Sequence, residues 1–75
     1  MDTVGSRLKH ARGRAMMTQA ELARAAGVAL ITANRLENDA IDSPRPETVR
    51  RLARALNVDP AWLLFGETDN VKLAA

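Results

Sequence analysis

Several side chains on which small proteins often depend are absent or scarce in this sequence. There is no cysteine, so disulfide bonds, thiolate zinc sites and cysteine nucleophiles are excluded. His10 is the single histidine, so a histidine-cluster metal site is not expected. The two aromatic residues, Trp62 and Phe65, are too few to stack a single-stranded nucleic acid. We therefore expect no metal and no cofactor, and His10 is predicted to be a surface residue.

Long apolar runs are also missing. The longest covers residues 61–65, whereas a membrane-spanning helix needs about 18 or more apolar residues. The first ten residues lack the apolar centre of a secretory signal. We therefore expect a cytoplasmic protein with no membrane partner.

The charges are unevenly distributed along the chain, although the net charge is only +2. Residues 7–54 contain ten cations and five anions, whereas residues 55–75 contain three anions and one cation. A basic central region is typical of a surface that meets a polyanion. A solvated arginine-rich surface would have the same composition, and that is the simpler interpretation of Arg50, Arg51 and Arg54.

Apolar residues recur at helical spacing, and no long stretch alternates as a strand would. Thr18 and Glu21 have the spacing of a capping box, and Gly27 can end the helix that they begin. Pro46 and Pro60 each suit the first position of a helix. Helices are predicted over residues 3–15, 18–26, 29–38, 46–56 and 60–65. The fold class is therefore all-α, a compact bundle of five short helices.

The same periodicity predicts the core and the limits of the domain. Arg7, Lys9, His10 and Arg14 fall largely outside the apolar face of the first helix. The expected core positions are Val4, Leu8, Ala11, Ala15, Leu22, Ala23, Ala26, Ala33, Leu36, Val49, Leu52, Ala53 and Leu56. Residues 1–66 form the predicted domain, and residues 67–75 a flexible tail. The last four residues, KLAA, are either a junction encoded by an expression vector or a natural tail.

Residues 19–38 have the features of two helices joined by a tight turn. Gly27 can take the left-handed backbone that the turn needs, and the small Ala23 lets the helices cross closely. Ala33 and Leu36 would hold the second helix against the first. Its other face would then be free to enter the major groove of DNA, as in a helix-turn-helix.

The chain resembles the phage repressor and Cro type of helix-turn-helix domain, the XRE family, over residues 5–66. The resemblance is carried by SRLKHAR, TQAELARAAGV, RLEN and LARALNVDPAWLLFG, in that order. It implies a lambda-repressor-like fold and a sequence-specific, DNA-binding transcriptional regulator, most simply a repressor and not an enzyme. It further implies a homodimer on a palindromic operator in double-stranded DNA, with the third helix in the major groove.

The resemblance also implies roles for individual residues. Phosphate contacts would fall on Arg12, Thr18, Gln19, Asn38 and Arg45. Base contacts would fall on Leu30, Ile31, Thr32, Asn34 and Arg35. Leu64 and Phe65 would belong to the dimer interface. Arg12 would also form an ion pair with Glu37, and Arg35 could instead be a surface residue paired with Asp39.

Five positions depart from the pattern of the family. Relatives usually carry polar residues where this chain has Ala29, Leu30 and Ile31. Met16 replaces the glycine that usually separates the first two helices, which puts the geometry of that turn in question. Arg45 replaces the usual serine cap of the fourth helix.

Leu30 and Ile31 allow three interpretations. Two adjacent large apolar residues on an exposed helix face usually mark an interaction surface or are covered by other parts of the protein. They could pack against thymine methyl groups in DNA, although apolar side chains offer no bidentate hydrogen bonds to bases. They could bind a protein partner, as in an antirepressor, antitoxin-like or anti-activator module. One of them could instead belong to the core.

Overall fold

The computed structural model describes residues 3–67, and the regular structure in that range is entirely helical. The helices are α1 (Val4–Arg14), α2 (Gln19–Ala26), α3 (Leu30–Glu37), α4 (Pro46–Leu56) and α5 (Pro60–Phe65). The all-α prediction is confirmed, and each helix limit lies within about one residue of its predicted position. Apart from Glu67, the predicted tail and its last four residues lie outside the described residues.

Local sequence signals determine where the helices begin and end. The Thr3 hydroxyl accepts a hydrogen bond from the amide of Ser6 and so caps α1. Both halves of the predicted capping box are present, because the Glu21 amide donates to Thr18 and the Thr18 amide donates to Glu21. Gly27 ends α2 with a φ of 72°, in the left-handed region that glycine enters at little cost.

Met16 takes the left-handed backbone in the turn between α1 and α2, with a φ of 57°. Its side chain is exposed, so no packing forces this conformation. The turn therefore keeps the backbone that a glycine would supply, at a cost of about 1–2 kcal/mol for a residue with a Cβ.

The core takes one large leucine from each helix. These five side chains are at most about 1% exposed: Leu8, Leu22, Leu36, Leu52 and Leu63. The predicted core positions are buried or half-buried with one exception, Ala15, which is exposed just beyond the end of α1. α3 packs against both α1 and α2, while α4 packs against α2 and α5. The core thus supports α3 from one side only.

Arg7 was predicted to lie outside the core, and that prediction is wrong. Its side chain is buried against the C-terminal end of α5. The guanidinium donates from Nε to the carbonyl oxygen of Leu63 and from Nη2 to that of Leu64, both at 2.9 Å. These carbonyls have no partner within a helix that ends at residue 65. The arginine therefore completes the hydrogen bonding of α5, a role that apolar periodicity does not reveal.

Two glycines of α1 should respond oppositely to replacement by alanine. A Cβ at Gly5 would lie 2.5 Å from the carbonyl oxygen of Leu36 and 2.5 Å from Oδ1 of Asp39, whereas one at Gly13 would meet no atom within 4 Å. We expect Gly5→Ala to lower the free energy of unfolding by about 2 kcal/mol through overpacking. Gly13→Ala should raise it by about 0.5–1 kcal/mol. Urea denaturation measures both, and a shift of the same sign in the two variants would contradict the expectation.

Candidate nucleic-acid interface

α2 and α3 form the helix-turn-helix that the sequence predicted. Ala23 of α2 and Ala33 of α3 are both buried, and the two helices pack against each other. The amide of Val28 donates to the carbonyl oxygen of Ala23 at 3.0 Å, which closes the turn after Gly27. α3 follows after a short connection and begins at Leu30, with no side-chain cap from Ala29.

α3 has one buried face and one exposed face. Residues follow one another at about 100° around a helix, so Ala33, Leu36 and Glu37 share one side, and all three are buried. Ile31 points away from that side, whereas Leu30 lies at its edge in the first turn of the helix, and the two side chains are 54% and 51% exposed. The interpretation that one of them belongs to the core is therefore wrong. Arg35 is exposed on the same outward side.

A buried carboxylate fixes the C-terminal end of α3 to α1 and α2. Arg12 donates to Glu37 through Nε at 2.6 Å and through Nη2 at 3.0 Å, which is the predicted ion pair in bidentate form. Gln19 donates from Nε2 to Oε1 of Glu37 at 3.0 Å. The Glu37 side chain is 2% exposed and that of Arg12 is 19% exposed. The pair is thus largely shielded from water.

The hydrogen-bond network continues along the polar side of α3. Asn34 donates from Nδ2 to Oε1 of Gln19 at 3.2 Å, and Asn38 donates to Oδ1 of Asn34 at 3.3 Å. Gln19 therefore links the first turn of α2 to two residues of α3. The position of α3 on its scaffold is set by polar contacts at this end and by apolar contacts beneath it.

The ion pair shifts the pKa values of both partners. Burial acts to raise the pKa of the Glu37 carboxyl, but it is outweighed by hydrogen bonds from Arg12 and Gln19 and by the charges of Arg12 and Lys9. The pKa of Glu37 therefore lies below its usual value. The hydrogen bond to Glu37 raises the pKa of Arg12, against the opposing effect of burial. Both shifts favour the charged forms.

The lowered pKa of Glu37 predicts a specific loss of stability in acid. In the unfolded chain this carboxyl binds a proton near its ordinary pKa of about 4.3, and in the folded chain only at lower pH. The unfolded state therefore binds more protons in that interval, and the free energy of unfolding falls as pH falls. We expect the stability difference between the wild type and Glu37→Gln to be constant above about pH 5 and to narrow below it.

Urea denaturation between about pH 7 and pH 3 measures this difference. Glu47→Gln is the control, because Glu47 forms an exposed pair with Arg51. A stability difference for Glu37→Gln that stays constant down to pH 3 would contradict the prediction.

The remaining predicted DNA-contacting residues differ in their exposure and in the side of α3 on which they lie. Thr18 is exposed at the start of α2, and Arg45 is exposed at the start of α4, where its side chain forms no capping bond. Thr32 is half-buried beside Arg45 and Thr48, and so faces α4 rather than the side that carries Leu30. The predicted set of base contacts is therefore divided between two sides of α3.

Two interactions of this region were not foreseen from the sequence. Asp39, a candidate partner of Arg35, accepts hydrogen bonds from the Thr3 hydroxyl and the Gly5 amide of α1. Asn34 is held in the network with Gln19. The Arg12–Glu37 pair, in contrast, was predicted through the family resemblance, although the two residues are far apart in sequence.

The residues predicted to form a dimer interface lie in a separate apolar patch. Phe65 is exposed and Leu64 is half-buried, and both line a shallow groove between α4 and α5 together with Pro46, Val49 and Pro60. Large exposed apolar side chains of this kind are typical of interaction surfaces.

The acidic residues and the single histidine are dispersed over the described part of the chain, and the helices are short. Within residues 3–67, no group of three or more histidine, aspartate or glutamate side chains is placed to hold a metal ion. None of the five helices described is long and apolar enough to cross a bilayer.

Comparison with known proteins identifies the family. A helix-turn-helix family model matches residues 8–63. The P22 c2 repressor, solved in complex with synthetic operator 9T, is 27% identical, with a TM-score of 0.81 over 89% of this chain and 100% of that chain. The solution structure of the P22 c2 DNA-binding domain is 26% identical, with a TM-score of 0.78 over 97% and 95% of the two chains. The chain belongs to the helix-turn-helix family.

Proposed function

We propose that this chain is a DNA-binding transcriptional regulator of the repressor kind, which places α3 in the major groove. The observation that carries the proposal is the outward face of α3, held in position by the network around Glu37 and left uncovered by the rest of the domain. The similarity to the P22 c2 repressor, which was solved with operator DNA, supports the same conclusion.

The proposed contacts divide into two classes. Arg12, Thr18, Gln19, Asn38 and Arg45 would bind phosphates and so fix the register of the protein on the duplex. Leu30, Ile31 and Arg35 would face base edges, with Thr32 and Asn34 at the margins of that surface. Arg35 is the residue best suited to a guanine, because a guanidinium can donate two hydrogen bonds to its O6 and N7 atoms.

A homodimer on a palindromic operator completes the proposal. The apolar patch at Leu64 and Phe65 would pair with its copy in a second protein chain. The two α3 helices would then meet successive major grooves about 34 Å apart.

Variants of Arg35 and Gln19 test this function. We expect Arg35→Ala to weaken binding by about 1–3 kcal/mol and to relax the preference at one base position. Gln19→Ala should weaken binding to all sequences, because it removes a proposed phosphate contact and also the hydrogen bonds to Glu37 and Asn34 that hold α3. Fluorescence anisotropy with DNA selected from a random pool measures both effects at several salt concentrations, and affinity should fall steeply with salt.

Arg54→Ala is the matched control, since Arg54 is exposed on α4 and is not among the proposed contacts. Its specific binding should equal that of the wild type. If selection from random DNA enriches no sequence, and binding shows no dependence on salt, the proposed function is wrong.

A protein partner remains a second candidate because Leu30 and Ile31 are both about half exposed. In that case the same face would bind an antirepressor, antitoxin-like or anti-activator partner. Leu30→Asp should then abolish a stable complex with that protein while the thermal unfolding of the domain is retained. Selection of a DNA sequence by the wild type, with loss of that selectivity in Leu30→Asp, would decide for DNA.

A further inference from the structure

The first turn of α3 exposes large apolar side chains on the proposed DNA-binding surface. Leu30 and Ile31 are exposed there, and Ala29 before them is exposed as well. In a helix-turn-helix, the N-terminal residues of the recognition helix are those that contact base edges. Apart from Thr32, which faces α4, the first turn therefore lacks the hydrogen-bonding side chains that usually read bases.

The amide side chains nearest to this turn are engaged within the protein. Asn34 uses both ends of its amide, since Nδ2 donates to Gln19 and Oδ1 accepts from Asn38. Gln19 also uses both ends, since it donates to Glu37 and accepts from Asn34. Adenine is normally read by a bidentate asparagine or glutamine. Asn34 and Gln19 could make such a contact only in the orientations that these bonds impose, with the second N–H and the second lone pair of each amide.

One group in the major groove matches an apolar side chain, namely the methyl group on C5 of thymine. Cytosine has a hydrogen at that position, and 5-methylcytosine carries the same methyl group as thymine. We infer that Leu30 and Ile31 recognise pyrimidine C5 methyl groups whichever base carries them, so that cytosine methylation in the target strengthens binding. This inference rests on the proposed DNA-binding function.

The size of the effect follows from burial of a methyl group. Burying one methyl group in the complex contributes about 0.8 kcal/mol to the free energy of binding, which corresponds to about a fourfold change in affinity. Two adjacent methyl groups, one for each side chain, should together change affinity by about fifteenfold.

The experiment uses a duplex selected by the full chain from random DNA. Each thymine of a half-site is replaced in turn by deoxyuridine, which lacks only the methyl group. At the positions that respond, cytosine and 5-methylcytosine are then compared, and dissociation constants are measured by anisotropy. We expect deoxyuridine to weaken binding about fourfold at each of two adjacent positions, and 5-methylcytosine to bind about fourfold more tightly than cytosine.

Two variants separate this role from general binding. Leu30→Ala combined with Ile31→Ala should bind with equal affinity to thymine and deoxyuridine duplexes. Both residues are exposed, so thermal unfolding should be unchanged. Arg35→Ala should bind more weakly overall but keep the preference for the methylated duplex.

The possible outcomes separate recognition of methyl groups from the proposed DNA-binding function. Equal affinity of the wild type for thymine and deoxyuridine duplexes, with sequence selection intact, would overturn the inference alone. A methyl preference that survives the double alanine variant would also overturn it. Failure to select any DNA would overturn the proposed function and the inference together.

Discussion

Replacement of Glu37 by alanine is expected to lower the free energy of unfolding by about 3 kcal/mol, which is a large part of the stability of so small a domain. The carboxylate accepts three hydrogen bonds, two from Arg12 and one from Gln19, and its side chain is 2% exposed. Its removal takes two hydrogen-bond acceptors from the Arg12 guanidinium, which keeps its bond to the carbonyl oxygen of Met17 and whose side chain is 19% exposed. The loss of a partner in a shielded pair costs far more than the same change at the surface.

Glu47 provides a matched control for that experiment. It pairs with Arg51 at 2.9 Å, but the two side chains are 66% and 46% exposed. Glu47→Ala should therefore change stability by about 0.5 kcal/mol or less, as exposed pairs one helical turn apart usually do. Urea denaturation at pH 7 compares the two variants directly. Equal losses in Glu37→Ala and Glu47→Ala would show that the shielded pair has no special role.

Replacement of Arg7 by methionine is the second change expected to have a large effect, a loss of about 2–3 kcal/mol. Methionine keeps much of the buried alkyl length but cannot donate to the carbonyl oxygens of Leu63 and Leu64. These acceptors would then lack their charged donor at the end of α5, where helix geometry leaves carbonyls without partners.

Lys9→Met is the control for Arg7→Met, because Lys9 is an exposed cation on the same helix. Its stability should lie within about 0.5 kcal/mol of the wild type. Thermal unfolding of both variants, followed by circular dichroism, measures the difference. The prediction fails if Arg7→Met unfolds at the same temperature as Lys9→Met.

The parts of the fold that were predicted correctly depend on short-range signals. The capping box of Thr18 and Glu21 and the glycine at position 27 specify α2 within ten residues of sequence. Asp59 and Pro60 begin α5 in the same local way. Periodic apolar residues then predict which side of each helix is buried, because a helix must bury its apolar face.

The errors concern polar side chains whose partners are distant in sequence. Arg7 meets carbonyls more than fifty positions later, and Asn34 meets Gln19 fifteen positions earlier. Nothing in the neighbourhood of either residue indicates such a partner. One signal was available for Arg7, since it lies four residues before the buried Ala11 and so on the edge of the core face.

The candidate site was predicted in outline through the family resemblance, and its roles stay predictions. The structure adds that Leu30 and Ile31 are outside the core, and that Thr32 faces α4. Neither fact follows from spacing alone, because the rotation of α3 depends on how α1 and α2 pack against it.

The contact of Arg7 with α5 also constrains how the domain can form during translation. The acceptors of this arginine lie 56 and 57 residues after it in the chain. On the ribosome, α1 emerges before α5, yet these two hydrogen bonds can form only after Leu64 has left the exit tunnel. Contacts so distant in sequence are also the slowest to form, because a long loop must close first. The buried side chain of Arg7 on α1 therefore gains these two acceptors only after α5 has been synthesised.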